Sequence, residues 1–205
     1  MSDMQDKPHH LGHRERLRRR VLDRGGDSLA DYELLEYLLF GVRRQGDTKP
    51  TAKALIDRFG SVAGVLAAPA AELATVKGVS EATIALIAVA AETARRAVRE
   101  EISDGPILSS WTKLIDYLRV AMGHGRTEEF RLLFLDSKNR LIADEVQGTG
   151  TVNRTAVYPR EVVKRALEHG ATAIIMVHNH PSGDPTPSRA DVEMTEEVRD
   201  AGALL

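Results

Sequence analysis

The 205-residue chain contains no cysteine. That absence excludes a disulfide framework, thiolate zinc sites, a cysteine nucleophile and the Cys-x-x-Cys half of a zinc deaminase. Aromatic residues make up only 4%, which argues against a strong nucleic-acid footprint. No charge of one sign prevails. Residues 1–101 carry 16 basic and 15 acidic side chains, and the remainder 12 and 15, so neither half is a polycation and only Arg14 to Arg20 is locally basic. Long apolar runs are missing as well: Ala82 to Ala91 is about half of the roughly 20 residues a spanning helix needs. The arginine-studded first twenty residues have no apolar centre for a signal peptide. A cytoplasmic protein with no membrane segment is the expectation. What is present, 42% hydrophobic and 28% charged residues, is the composition of a globular chain with room for one large domain or two small ones.

Composition shifts near Ile102-Ser103-Asp104-Gly105-Pro106, where Gly-Pro punctuates the chain. The pattern predicts a helical domain over 1–101 and a mixed domain over 102–205. In the first, apolar spacing predicts helices at about 12–24, 30–40, 50–59, 62–67, 70–76 and 80–100, with Gly60 closing the third. In the second, Trp111, Leu114, Ile115, Leu118 and Met122 recur at helical spacing. Phe130 to Leu135 reads as an apolar strand, Asp136-Ser137-Lys138-Asn139 as a turn, and Leu141 to Val146 as its partner. A further strand is expected near Gly150 to Val157. Pro159 opens a helix that Gly170 stops, and Thr172 to Val177 reads as a buried strand. Helices first and interleaved strands and helices afterwards predict an α+β or mixed architecture.

Chemistry concentrates in His178-Asn179-His180-Pro181-Ser182-Gly183-Asp184-Pro185-Thr186-Pro187-Ser188-Arg189-Ala190-Asp191. Residues two apart on a strand share a face, so His178 and His180 project to the same side. Two imidazoles on one face suit Zn²⁺, and Asp191, one turn into the next helix, can point back at them. Two histidines and one carboxylate with an open fourth position is a catalytic rather than a structural zinc pattern. Each feature also has a plainer reading. A His-x-His pair is common turn chemistry, and Ser188-x-x-Asp191 is an ordinary capping box. A hydrolase also needs a base. Glu161 and Glu168 have a solvent-face reading, whereas Glu128 alternates with Phe130, Leu132 and Phe134, where an apolar setting raises a carboxyl pKa towards proton-shuttling range.

A glutamate at a strand head, His-x-His, seven residues, Ser, two residues and Asp resembles the JAMM signature of MPN+ metalloproteases. More narrowly, Tyr158-Pro159-Arg160-Glu161, the His178 to Gly183 block and Pro187-Ser188-Arg189-Ala190-Asp191 resemble the bacterial RadC family. The resemblance implies a JAMM/MPN, cytidine-deaminase-like domain with a mixed curved sheet. It implies Zn²⁺ on His178, His180 and Asp191, Glu128 as general acid/base with Glu129 the fallback, and Ser188 as donor to the oxyanion. The implied activity is Glu-assisted hydrolysis of a polypeptide or amide substrate. The alternative it carries is a DNA-associated module with a structural or relict metal site. Leu73 to Ser80 resembles a helix-hairpin-helix turn, which would offer backbone N–H groups to a DNA phosphate, with Ser80 in place of the usual second glycine. A helical packing unit explains the same residues. RadC chains continue past the helix after the metal loop into further strands, so a sheet lacking its last strands, or completed by a partner, is expected here. An HNH nuclease is rejected, because the residues that name that class are dispersed rather than adjacent.

Overall fold

The computed structural model describes residues 12–103, 105–107, 111–123, 127–150 and 158–203. Among them the architecture is mixed. Six helices come first: α1 (His13–Arg24), α2 (Asp31–Leu39), α3 (Lys49–Phe59), α4 (Val62–Ala67), α5 (Ala70–Leu73) and α6 (Glu81–Ser103). Then follow α7 (Trp111–Met122), β1 (Glu128–Leu135), β2 (Leu141–Gly150), α8 (Pro159–His169), β3 (Ala173–His178) and α9 (Arg189–Gly202). No helix among the described residues is long and apolar enough to cross a membrane.

Local chemistry explains most boundaries. Gly60 takes φ +82° and its N–H bonds Ile56 O, so α3 ends on a left-handed cap. Ser61 starts α4 by accepting the Gly64 N–H at 3.0 Å. The first core gathers Leu35, Leu39, Leu55, Val65, Leu73 and Ile87, all at most 4% exposed. At the hairpin before α6, Gly78 has φ +87°, and a Cβ there would stand 2.4 Å from Thr51 Oγ1. Only glycine fits such a position.

The chain divides into two compact units, Met1–Glu92 and Thr93–Leu205. The division falls inside α6 rather than at the Gly105-Pro106 punctuation. Ile84 and Ile87 belong with the first core, whereas Ile102 and Ile107 on either side of that Gly-Pro are buried in the second unit.

In the second unit the described strands form an antiparallel sheet of order β2-β1-β3. Alternation along the central strand divides it cleanly. Leu133 and Leu135 face Leu114 and Tyr117 of α7, while Phe130, Leu132 and Phe134 face Val162 of α8 and Val198 of α9. The β1–β3 register runs unbroken from Phe130↔His178 to Leu135↔Ala173. β2 is less regular, with register shifts opposite Phe130/Arg131 and Phe134/Leu135, and it extends to Gly150. The strand expected near 150–157 otherwise lies outside the described residues. The β3 strand is half-buried along its whole length, not buried as its apolar run suggests, because it ends the strand order and its described pairing is on the β1 side only.

Candidate metal centre

Three elements bring the candidate ligands together. β3 ends at His178, directly across from Phe130, and the two rings are stacked with centroids 6.4 Å apart. Two residues on, the Gly183 N–H bonds His180 O at 2.8 Å with Gly183 at φ +80°, a turn that glycine adopts without steric cost. Pro181, Pro185 and Pro187 then carry the chain to Ser188, the N-cap of α9. Met194 and Val198 pack α9 against the sheet. Asp191 lies three residues before Met194, on that same inward face. Burying the apolar stripe of α9 thereby turns the carboxylate towards the end of β3.

The outcome is a three-residue cluster. His178, His180 and Asp191 each offer one ligand atom, all within 4.8 Å of one another. His178 Nε2 and His180 Nε2 are 2.6 Å apart, and Asp191 Oδ2 lies 3.4 Å from the first and 4.0 Å from the second. Donors held at about 2.0–2.1 Å around a tetrahedral Zn²⁺ stand about 3.3 Å from one another, so the three separations bracket the span the ion requires. The side chains are 20–22% exposed, sheltered yet open on one side. Two nitrogen donors and one carboxylate oxygen are a donor set that fits zinc.

Ser188 and Asp191 form the capping box that their spacing allowed, and the Asp191 carboxylate faces the histidines as well. The Ser188 N–H donates to Asp191 Oδ2 at 2.6 Å, and the Asp191 N–H donates to Ser188 Oγ at 3.2 Å, a complete capping box. The same Oδ2 faces both imidazoles. Burial by itself would raise the Asp191 pKa. The Ser188 side chain and backbone, and then the two histidines, outweigh it and hold the carboxyl below its ordinary range. The cap therefore keeps the carboxylate ionised and oriented, which a cation requires. Ser188 Oγ accepts one N–H and keeps a proton of its own to donate.

The two candidate bases part company. Glu129 is bound by Arg131, Nη2 to Oε1 at 2.8 Å. Arg131, 8% exposed, also reaches Asp144 at 2.7 Å, and Asp144 accepts the Tyr117 hydroxyl from α7. Glu129 thus belongs to the α7 face. Glu128 shares the alternation of Phe130 and hence the face that carries His178. Among the described residues no ion pair or side-chain hydrogen bond engages its carboxylate. Glu161 makes a surface pair with Arg160 at 3.3 Å, and Glu168 pairs with Lys164 at 3.9 Å.

A family model, the RadC-like JAB domain, matches residues 108–205. The C-terminal part of the chain is a RadC-like JAB domain. The match encloses β1, the two histidines, Ser188 and Asp191. The RadC-like JAB domain fits the JAMM/MPN superfamily, whose members commonly bind zinc, and it is compatible with hydrolase chemistry.

Sequence reasoning missed two arrangements in this domain. The Glu129–Arg131–Asp144–Tyr117 network was legible only as alternation of charge on an apolar strand. The side chain of Asn179 accepts the Glu129 N–H through Oδ1 at 2.7 Å and donates from Nδ2 to Thr127 O at 3.2 Å. In the helical unit, Ser80 Oγ accepts the Thr83 N–H at 3.3 Å, so it caps α6 where a glycine would leave the helix uncapped.

Proposed function

We propose that the RadC-like JAB domain is a zinc-dependent hydrolase of amide or isopeptide bonds. The observation that carries this reading is the convergence of His178 Nε2, His180 Nε2 and Asp191 Oδ2 from the end of β3, the turn after it and the start of α9. A surface cap needs only Ser188 and Asp191; it does not require two imidazoles opposite. When bound there, zinc supplies a Lewis acid for a carbonyl and water ionisable near neutral pH.

The remaining work falls to this chain's own residues. His178, His180 and Asp191 hold the ion. Glu128 accepts a proton from the attacking water and delivers it to the departing amine. Ser188 donates its hydroxyl to the developing oxyanion, a kind of donor whose loss costs about 10²–10³ in rate. Since Ser188 is also the N-cap of α9, Ser188→Ala should lose about 1 kcal/mol of stability in addition.

Metal analysis of freshly purified protein, followed by mass spectrometry of a library of linear and Lys-ε-linked peptides, tests the reading. The wild type should hold one zinc and cleave a subset of the library. His178→Ala should lose the metal. Glu128→Gln should keep the metal and cleave nothing. A wild type that binds no zinc, or a Glu128→Gln variant that turns over normally, defeats the assignment.

A further inference from the structure

We propose that Asn179 is the positioning residue of this centre, clamping Glu128 against the two-histidine segment; this rests on the hydrolase reading for Glu128 and on geometry for the clamp. The last backbone pair between β1 and β3 is Phe130↔His178. Past it, a side chain takes over. Thr127 O and the Glu129 N–H lie on the same edge of the strand and flank Glu128, and the one carboxamide of Asn179 satisfies both.

In an antiparallel ladder these two groups would bond the partner backbone around a closely spaced, non-hydrogen-bonded pair. A primary amide carries an acceptor and donors in one plane, so it can imitate that partner strand. The backbone itself cannot do this at Thr127 O, because continuing the register places Pro181 opposite Thr127, and proline has no N–H to donate. Asn179 sits between the two candidate ligands in sequence. Its side chain therefore ties the backbone bearing both imidazoles to the backbone bearing Glu128. Continuing the β1–β3 register by two residues sets Glu128 opposite His180, on the face of His178. Alanine at 179 would free two backbone groups at once and release the head of β1.

The test uses the full 205-residue chain and zinc alone, competed against a chelating indicator, together with amide hydrogen exchange at Glu129. Loss of groups that orient a metal site typically costs 10–100-fold in affinity. Asn179→Ala should weaken zinc about 10-fold and speed Glu129 exchange at least about 10-fold. Asn179→Asp, which keeps an oxygen acceptor, should restore the exchange protection. Because Glu128 is not itself a ligand and Glu128→Gln keeps the metal, the clamp acts on zinc through the two-histidine segment, so Asn179→Ala should weaken zinc about 10-fold in the Glu128→Gln background as well. A protected Glu129 amide in Asn179→Ala overturns the clamp. An unchanged zinc affinity on Asn179→Ala, in either background, overturns its action on the two-histidine segment. Neither readout requires turnover, so failure of hydrolysis leaves both able to decide the matter, and failure of zinc to bind the wild type counts against the hydrolase reading while exchange still decides the clamp.

Discussion

Glu128 and Glu129 are neighbours in the chain, yet they belong to opposite faces of one sheet and to opposite kinds of chemistry. On the α7 side, Glu129 and Asp144 share Arg131, and the Tyr117 hydroxyl completes the group. Burial would lower the Arg131 pKa, but Asp144 and Glu129 outweigh it and raise it, while burial and the bond to Asp144 push the Tyr117 hydroxyl up. Each of those charges has a partner inside the fold. On the α8–α9 side, two imidazoles and a carboxylate meet, among the described residues no lysine or arginine pairs with that carboxylate, and Glu128 shares that face. Charges answered within the protein make a framework. Donors left facing one another make a site that something from outside can complete.

The largest expected effect breaks the framework side. Arg131→Met strands Glu129 and Asp144 without their cation, and removing one member of a buried ion pair costs about 3–5 kcal/mol. Urea denaturation should show that loss. A stability within about 1 kcal/mol of wild type would mean that the network contributes little. The mirror experiment addresses the site. Asp191→Asn keeps an acceptor for the Ser188 N–H and hence the cap, so stability should stay within about 0.5 kcal/mol, while zinc affinity falls about 100-fold or more. Equal zinc binding would remove Asp191 from the ligand set. Next come the neighbouring glutamates: Glu129→Gln should cost about 1–2 kcal/mol by weakening a charge-assisted bond, whereas Glu128→Gln should be close to neutral in stability. Reversed stability effects would erase the distinction between the faces.

Much of this was legible in the residues and some was not. Helix positions followed from apolar spacing and from caps such as Gly60 and Gly170, because those signals are local. The clustering of three residues was legible for a similar reason: strand period, a stiff loop and a helix start fix where His178, His180 and Asp191 point. Glu128 against Glu129 could be read only as a choice of register. Which one is engaged depends on Arg131 and on Asp144, thirteen residues further along, and that pairing is non-local. The division inside α6 was hidden too, since a helix that contributes Ile87 to one core and Ile102 to another shows no break in its own periodicity. Asn179 was opaque because a carboxamide imitating a strand leaves no periodic trace.

The smallest prediction concerns Glu145, which lies on the His178 side of the sheet and sharpens the comparison by showing that the face alone does not make a site. Glu145 is opposite Leu132 on β2. Its carboxylate accepts Arg165 Nε at 2.9 Å and lies 2.7 Å from His169 Nε2. Those bonds, Arg165 first, outweigh burial and hold its pKa at about 2 instead of the ordinary 4.5. A depressed carboxylate pKa adds stability that is fully present above about 4.5 and is lost as pH falls towards 2. The group is 24% exposed, so solvent screening leaves a contribution of about 1 kcal/mol. Glu145→Gln should therefore flatten the stability profile between pH 4.5 and pH 2 without altering zinc affinity at neutral pH. Were zinc affinity to fall with it, the Arg165–Glu145–His169 cluster would belong to the metal centre, and the matched charges on this side of the sheet would no longer count as framework.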